Sequence, residues 1–322
     1  MKSHVLPRLA LGAGLALALG AAAAAQEKFP SKPIEVVTHA GVGGGTDITA
    51  RMMMVQAPAT LGTELTVVNK TGGSGAAALA YADSRPKDGH TILLLTQTHL
   101  LTLIQGRAGN LKPSDIVGVA RATDDPQVLM VGASSPHKTA AEFIDAAKTK
   151  SMKFGTTQIG SVDHIAVTGF AAKAGLQKPT VVPFRGGGDI VVNLVGGNLD
   201  GALLNYAEAE SQIKAGEVRA LVVFAADRME SLPQTPTATE IGIPAVYSTV
   251  RGFAVLKGTP EDRIKVLEEG LVKAMNGKFY QDYLKSSGQS LKSVVGREEW
   301  QAQLNEFVAT GQEALAALGV TK

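Results

Sequence analysis

Apolar residues fall in short runs separated by stretches with helical spacing. The runs at residues 34–38, 65–68, 92–95, 117–120, 128–131, 181–183, 202–204 and 221–224 are rich in Val, Ile and Leu. They are too short for helices and predict strands. Between them, residues 139–148, 163–174 and 206–215 carry helical spacing. Alternation of this kind predicts mainly parallel sheets covered by helices, an α/β class. After Gly258 the pattern turns mostly helical: Pro260 suits a first turn, and Trp300, Leu304, Phe307, Gly311, Leu315 and Leu318 follow one helical face. Two breaks suggest lobe boundaries, residues 123–126 before the apolar run 127–132, and the polar, two-proline stretch 227–236. Two such crossings make a first lobe of residues 26–124 and 230–322 and a second lobe of residues 125–229.

The predicted strand-to-helix turns are rich in Gly, Ser and Thr. They are Gly41-Val42-Gly43-Gly44-Gly45-Thr46-Asp47, Thr71-Gly72-Gly73-Ser74-Gly75, Thr156-Thr157-Gln158-Ile159-Gly160-Ser161 and Phe184-Arg185-Gly186-Gly187-Gly188. Glycine lets backbone N–H groups approach a ligand, and a helix N-terminus adds unsatisfied donors and the positive end of a dipole. Each loop alone reads equally as a turn with an ordinary cap at Thr46, Asp163 or Asp189. Four of them, at the carboxyl ends of strands in two halves, point to a site for an anion. Asp47 and Asp189 would repel an anion and are assigned to capping or to orienting their loops. Arg185 fits either a bidentate contact to a ligand carboxylate or an ion pair with Asp189. His39 and His99 adjoin two of the turns, as possible ligand contacts or as hydrogen-bonded structural histidines.

The remaining composition narrows the chemistry. Residues 1–25 carry Lys2 and Arg8, an apolar stretch and a small-residue tract with Ala23 and Ala25, which reads as a secretory signal. The whole chain has 31 basic and 29 acidic residues; without Lys2 and Arg8 the balance is neutral, so nothing favours nucleic acid as a partner. With no Cys there is neither disulfide nor thiolate chemistry. No short-spaced His pair, P-loop or Gly-x-Ser-x-Gly elbow occurs, and no metal or cofactor is expected. Gly73-Ser74-Gly75-Ala76-Ala77-Ala78 matches a dinucleotide fingerprint in form, but the next strand ends in Thr96-Gln97-Thr98 and lacks the acidic ribose ligand.

Several segments together resemble a known family. Phe29-Pro30-Ser31-Lys32-Pro33-Ile34, Gly43-Gly44-Gly45-Thr46-Asp47, Asn69-Lys70-Thr71-Gly72-Gly73-Ser74-Gly75 and Pro86-Lys87-Asp88-Gly89-His90-Thr91-Ile92 are similar to the substrate-binding receptors of tripartite tricarboxylate transporters, the Bug-type family. Val182-Pro183-Phe184-Arg185-Gly186-Gly187-Gly188, Gly196-Gly197-Asn198-Leu199-Asp200 and Leu232-Pro233-Gln234-Thr235-Pro236-Thr237 continue the match. The resemblance implies a type II periplasmic binding protein, with two lobes and a ligand cleft between them, that delivers a small organic carboxylate to a membrane permease. It also implies a periplasmic location after removal of the signal, and a monomer is expected. Carried over by motif, the ligand-binding residues are Val42, Gly43, Thr46, Ser74, Gly75, Thr98, Ser161 and Asn205. Residues 38–42, Thr-His-Ala-Gly-Val here, depart from the commoner Val-Pro-Phe-Ala-Pro. A secreted α/β enzyme acting on a carboxylic acid and a ligand-presenting sensory subunit are the competing readings.

Overall fold

A computed structural model describes residues 28–157, 159–184, 186–317 and 319. The secretory signal at residues 1–25 and the side chain of Arg185 lie outside the described residues. In chain order the first part contains β1 (Ile34–Thr38), α1 (Gly45–Met54), α2 (Ala57–Leu61), β2 (Leu65–Asn69), α3 (Ala76–Asp83), β3 (Thr91–Thr96), α4 (Gln97–Ile104) and β4 (Ile116–Gly132). The middle contains α5 (Ala140–Thr149), β5 (Lys153–Thr156), α6 (Val162–Lys173), β6 (Thr180–Pro183), α7 (Gly187–Val195), β7 (Gly201–Asn205), α8 (Tyr206–Lys214) and β8 (Val218–Val223). The end contains β9 (Ser248–Leu256), α9 (Glu261–Met275), α10 (Lys278–Ser286) and α11 (Arg297–Ala317).

The strands run in the order β2-β1-β3-β9-β4-β7-β5-β6, with β8 also paired to β4. Both faces of the strands are covered, which is why their sequences read as continuous apolar runs. Alternate residues serve opposite cores: Val36, Ile92 and Leu94 pack with α1, α2 and α9, whereas Val37, Leu93 and Leu95 pack with α3, α4 and Trp300 of α11. In the other half Leu129 and Val131 meet Phe143, Phe154 and Phe170, while Val128 and Met130 meet Ile190, Leu194 and Tyr206. Four cores result, two on each half of the sheet.

β1 pairs in parallel with β2 and β3, and β5 with β6 and β7. The pairings of β4 and β9 are antiparallel, so the parallel core expected from alternation is joined by two strands of opposite sense. β4 is the structural link. Its residues up to Pro126 pair with β9, and from Gln127 onward it pairs with β7 and β8. Proline supplies no N–H, and it falls where the strand changes partners. Three backbone bonds lock the change: Gln127 N–H to the Tyr247 carbonyl (2.9 Å), Tyr247 N–H to Phe224 (3.0 Å) and Phe224 N–H to Gln127 (2.9 Å).

Residues 123–126 thus lie just before the point where β4 changes partners. The return path reaches β9 only at Tyr247–Ser248. Met229 and Leu232 pack with Tyr206, and Ala238, Ile243 and Ala245 pack with Phe170 and Phe224. The stretch 229–245 therefore shares the cores of the second half, whereas the sequence reading resumes the first lobe at residue 230.

Candidate functional site

The carboxyl ends of β1, β3, β5 and β7 each lead into a helix, which is the arrangement the glycine turns require. At the first turn, Asp47 is buried and organises the loop instead of repelling a ligand. It accepts bonds from Gly43 N–H (2.9 Å), Arg51 Nε and Nη2 (both 2.9 Å) and Asn69 Nδ2 (2.9 Å). Burial alone would raise its pKa, but these donors outweigh it and hold the carboxyl below the usual range. The Gly43 N–H is consequently committed to Asp47. Thr46 is buried at the start of α1, where the first backbone N–H groups have no intrahelical partner. Val42 stands 79% exposed at the tip of the same loop.

Ser74 and Gly75 lie in a turn of left-handed backbone, with φ of 56° and 94°. The turn is tied to α4, since Thr102 Oγ1 donates to the Ser74 carbonyl at 2.7 Å. His99, in the first turn of α4, accepts the Thr96 N–H on Nδ1 at 3.0 Å. A Cβ on Gly75 would come within 2.7 Å of His99 Cδ2, so the turn lies directly on that ring. Thr98 is buried beside it. His39 packs edge-on against His99, with ring centroids 4.4 Å apart. Thus Ser74, Gly75, Thr98, His39 and His99 form one group.

In the second half, Ser161 caps α6 by accepting the His164 N–H at 3.3 Å, and Gly160 N–H donates to His164 Nδ1 at 2.9 Å. Gly160 also faces the first half, since a Cβ there would lie 3.2 Å from Gln105 Nε2. Asp163 is buried beneath this turn. Its Oδ2 accepts Thr157 Oγ1 at 2.5 Å and its Oδ1 accepts Gln127 Nε2 at 2.9 Å. Burial raises its pKa against those bonds.

The two halves meet at Arg251 of β9, a residue absent from the sequence-based candidates. Its Nη1 donates to Asp125 Oδ2 at 3.0 Å and its Nη2 to Asn205 Oδ1 at 3.3 Å. A Cβ on Gly45 would fall 2.8 Å from Nη2, so the start of α1 rests on the guanidinium. Asn205 in turn donates from Nδ2 to the carbonyls of Asp125 (2.8 Å) and Pro126 (3.3 Å). Its amide is fully engaged, which makes it a brace across the crossing. Around it, burial pushes Asp125 up to about 6 against the pull of Arg251. Glu208 is pushed up to about 7, first by burial and then by Asp163. A lone arginine inside an apolar strand was the available signal for this cluster, because a charge placed there must be paired. Among the described residues no cluster of His, Cys, Asp or Glu could hold a metal ion. No described helix is long and apolar enough to cross a membrane.

A split sheet, crossing strands and facing helix starts define a two-lobed solute-binding protein. The description "Tripartite tricarboxylate transporter family receptor" matches residues 49–312, and the chain belongs to that family. It is 31% identical over 301 residues to a UPF0065 protein of a Pseudomonas species, covering 91% of this chain and 88% of the relative. It is 27% identical to BugT of Bordetella pertussis, covering 83% and 84%. A TctC solute-binding protein from Polaromonas superposes with a TM-score of 0.73 at 29% identity, covering 90% of this chain and 100% of that one. MatC of Rhodopseudomonas palustris, solved with bound malate, shares the fold with a TM-score of 0.78 at 24% identity, covering 89% and 100%. The family is one of solute-binding receptors, not enzymes.

Proposed function

We propose that the chain is an extracytoplasmic receptor that binds a small organic carboxylate between its lobes and hands it to the permease of a tripartite tricarboxylate-type transporter. It would act in the periplasm, as a monomer, after loss of residues 1–25. The observation that carries this reading is the meeting of both halves at one guanidinium, with the start of α1 on one side and Asn205 at the start of α8 on the other. Helix starts supply unpaired N–H donors and a favourable dipole for an anion. Malate in MatC and adipate in a second Rhodopseudomonas palustris protein of this fold support a carboxylate as ligand. On this reading lobe 2 runs from the partner change in β4 to Tyr247, and the remainder forms lobe 1.

The binding residues proposed are Thr46, Ser74, Gly75, Thr98 and Ser161, with Val42 and Gly43 shaping the mouth and Asn205 bracing the floor. Calorimetric titration with a panel of organic acids tests this. Thr46→Val and Ser161→Ala should each weaken the best ligand roughly ten- to a hundred-fold by removing a bond to a charged group. Arg185→Gln should retain measurable binding. Unchanged affinity in both hydroxyl variants, with loss confined to Arg185→Gln, would replace distributed donors by a single arginine clamp. Loss of cellular uptake of the same acid on deleting the gene would test delivery to the permease.

A further inference from the structure

The apolar side of α4 is accounted for. Leu100 and Leu103 share a core with Trp300 and Leu304 of α11. A Cβ on Gly311 would lie 3.0 Å from Leu101 Cδ2 and 3.2 Å from Ile104 Cδ1, so α11 rests its bare turn on those two. Thr98, Thr102 and, just past the last turn, Gln105 remain, spaced i, i+4 and i+7 on one helical face. All three are buried. Buried polar groups are paired in the great majority of cases, so a buried polar stripe calls for partners. Thr102 has one in the Ser74 carbonyl, at 2.7 Å. Gln105 has one on its oxygen: Arg107 Nη1 donates to Oε1 at 3.1 Å. That bond fixes the orientation of the amide and sends Nε2 the other way.

What Nε2 meets is the other half of the molecule. It stands 3.2 Å from the place a Cβ on Gly160 would take, in the turn between β5 and α6. Gly160 has a left-handed backbone, φ 76°, and leaves the space in front of the amide bare. No described residue accepts from Nε2. Asp163, the nearest acid along that turn, is tied to Thr157 and Gln127. The stripe therefore borders three of the turns proposed to hold the ligand. It begins at Thr98, touches the Ser74 turn at Thr102, and ends about 10 Å further on at the neighbour of Ser161.

We propose that Gln105 is a ligand contact: from the first half, its Nε2–H donates to the carboxylate that the Ser161 turn holds from the second. Arg107 is the positioning residue, since it decides which end of the amide faces the turn. The inference rests on the carboxylate-receptor reading and adds a donor that the glycine turns do not contain. Because this donor and Ser161 stand on opposite halves, the bond forms as the halves close and breaks as they part.

Calorimetric and stopped-flow titration with the best-bound acid of the panel test it. Gln105→Leu should weaken that acid roughly ten- to a hundred-fold, mostly through faster dissociation. Gln105→Glu keeps the length of the side chain but sets an anion against the carboxylate. It should bind the acid more weakly still, while the primary amide of the same acid, measured by displacement, loses at least about tenfold less. Arg107→Ala should weaken the acid in the wild-type background and leave it unchanged in Gln105→Leu, as expected of a residue that acts through another. In the wild-type protein, the side-chain N–H signals of Gln105 in nitrogen–proton NMR should shift at saturating acid, a readout independent of any variant's folding. A Gln105→Leu affinity within about twofold of wild type would overturn the proposal. Unmoved Gln105 signals would do so too, as would equal losses for acid and amide in Gln105→Glu, the mark of a tie between the halves that never touches the ligand. If no acid binds the wild-type protein while a neutral solute does, the receptor reading itself fails, and this inference with it.

Discussion

Glu208 occupies the third position of α8, where its Oε2 accepts the Asn205 N–H at 3.0 Å. The bond caps the helix, yet burial and the neighbouring Asp163 push the carboxyl up to about 7. The folded protein thus retains a proton that the unfolded chain releases near 4.5. Stability from this group is fully present below about 4.5 and is lost as pH rises through about 7. Asp125 acts in the same sense between 3.8 and about 6. His39 acts oppositely: its contribution is present above 6.5 and is lost as pH falls through about 4. Glu208→Gln removes one titration and leaves the others. Relative to wild type, the variant should gain about 1–3 kcal/mol in urea unfolding between pH 5 and pH 8; a difference independent of pH would mean that Glu208 is ionised throughout. The same scale shows which part of the proposed site was legible in the sequence. Thr46, Ser74 and Ser161 stood out because glycine and hydroxyl residues announce turns. Arg251 did not, because its charge breaks the apolar run that would have shown the strand holding it, and its partner Asp125 lies 126 residues away.

Among elements, α11 shows how a helix can fix a sheet from outside. Trp300 is fully buried, donates from Nε1 to the Phe253 carbonyl at 3.1 Å, and lies over Gly118 of β4 and Gly252 of β9. A Cβ on Gly252 would sit 2.4 Å from the indole, so the strand is bare there to admit the ring. Trp300→Ala should cost about 3–5 kcal/mol, measured by denaturant unfolding; a loss below about 1 kcal/mol would place the helix outside the core. The spacing of Trp300, Leu304, Phe307 and Leu315 had marked this helix. β9 escaped notice because Thr249, Arg251 and Gly252 interrupt its apolar pattern. The runs at 117–120 and 128–131 read as two strands because 123–126 is polar, yet Thr123 and Asp125 are buried and one strand passes through.

For the whole molecule, the change of partners in β4 and the arrival of β9 at Ser248 are the two neighbouring places where the proposed lobes join. The Gln127, Phe224 and Tyr247 backbone bonds hold these two places together, and we propose that the lobes hinge there. A ligand that touches both lobes favours the closed arrangement by the difference in its affinity for the two states. Solution scattering should therefore give a smaller radius of gyration at saturating ligand than without it. An unchanged radius would show the empty protein to be closed already.

The strand order has a temporal side as well. β3 ends at Thr96, but its neighbour β9 begins at Ser248, after every strand of the second half has been made. As a chain appears from its N-terminus, the half begun first is thus the half finished last, and contacts between such distant segments form slowly. Until residue 256 has emerged, the edge of β3 at Leu93–Thr96 lacks the partner it has in the finished molecule. An unpaired apolar edge is where one nascent chain captures another. The length of the second lobe therefore sets how long the first stays vulnerable, and any insertion between β4 and β9 would prolong that interval without touching a residue of the site.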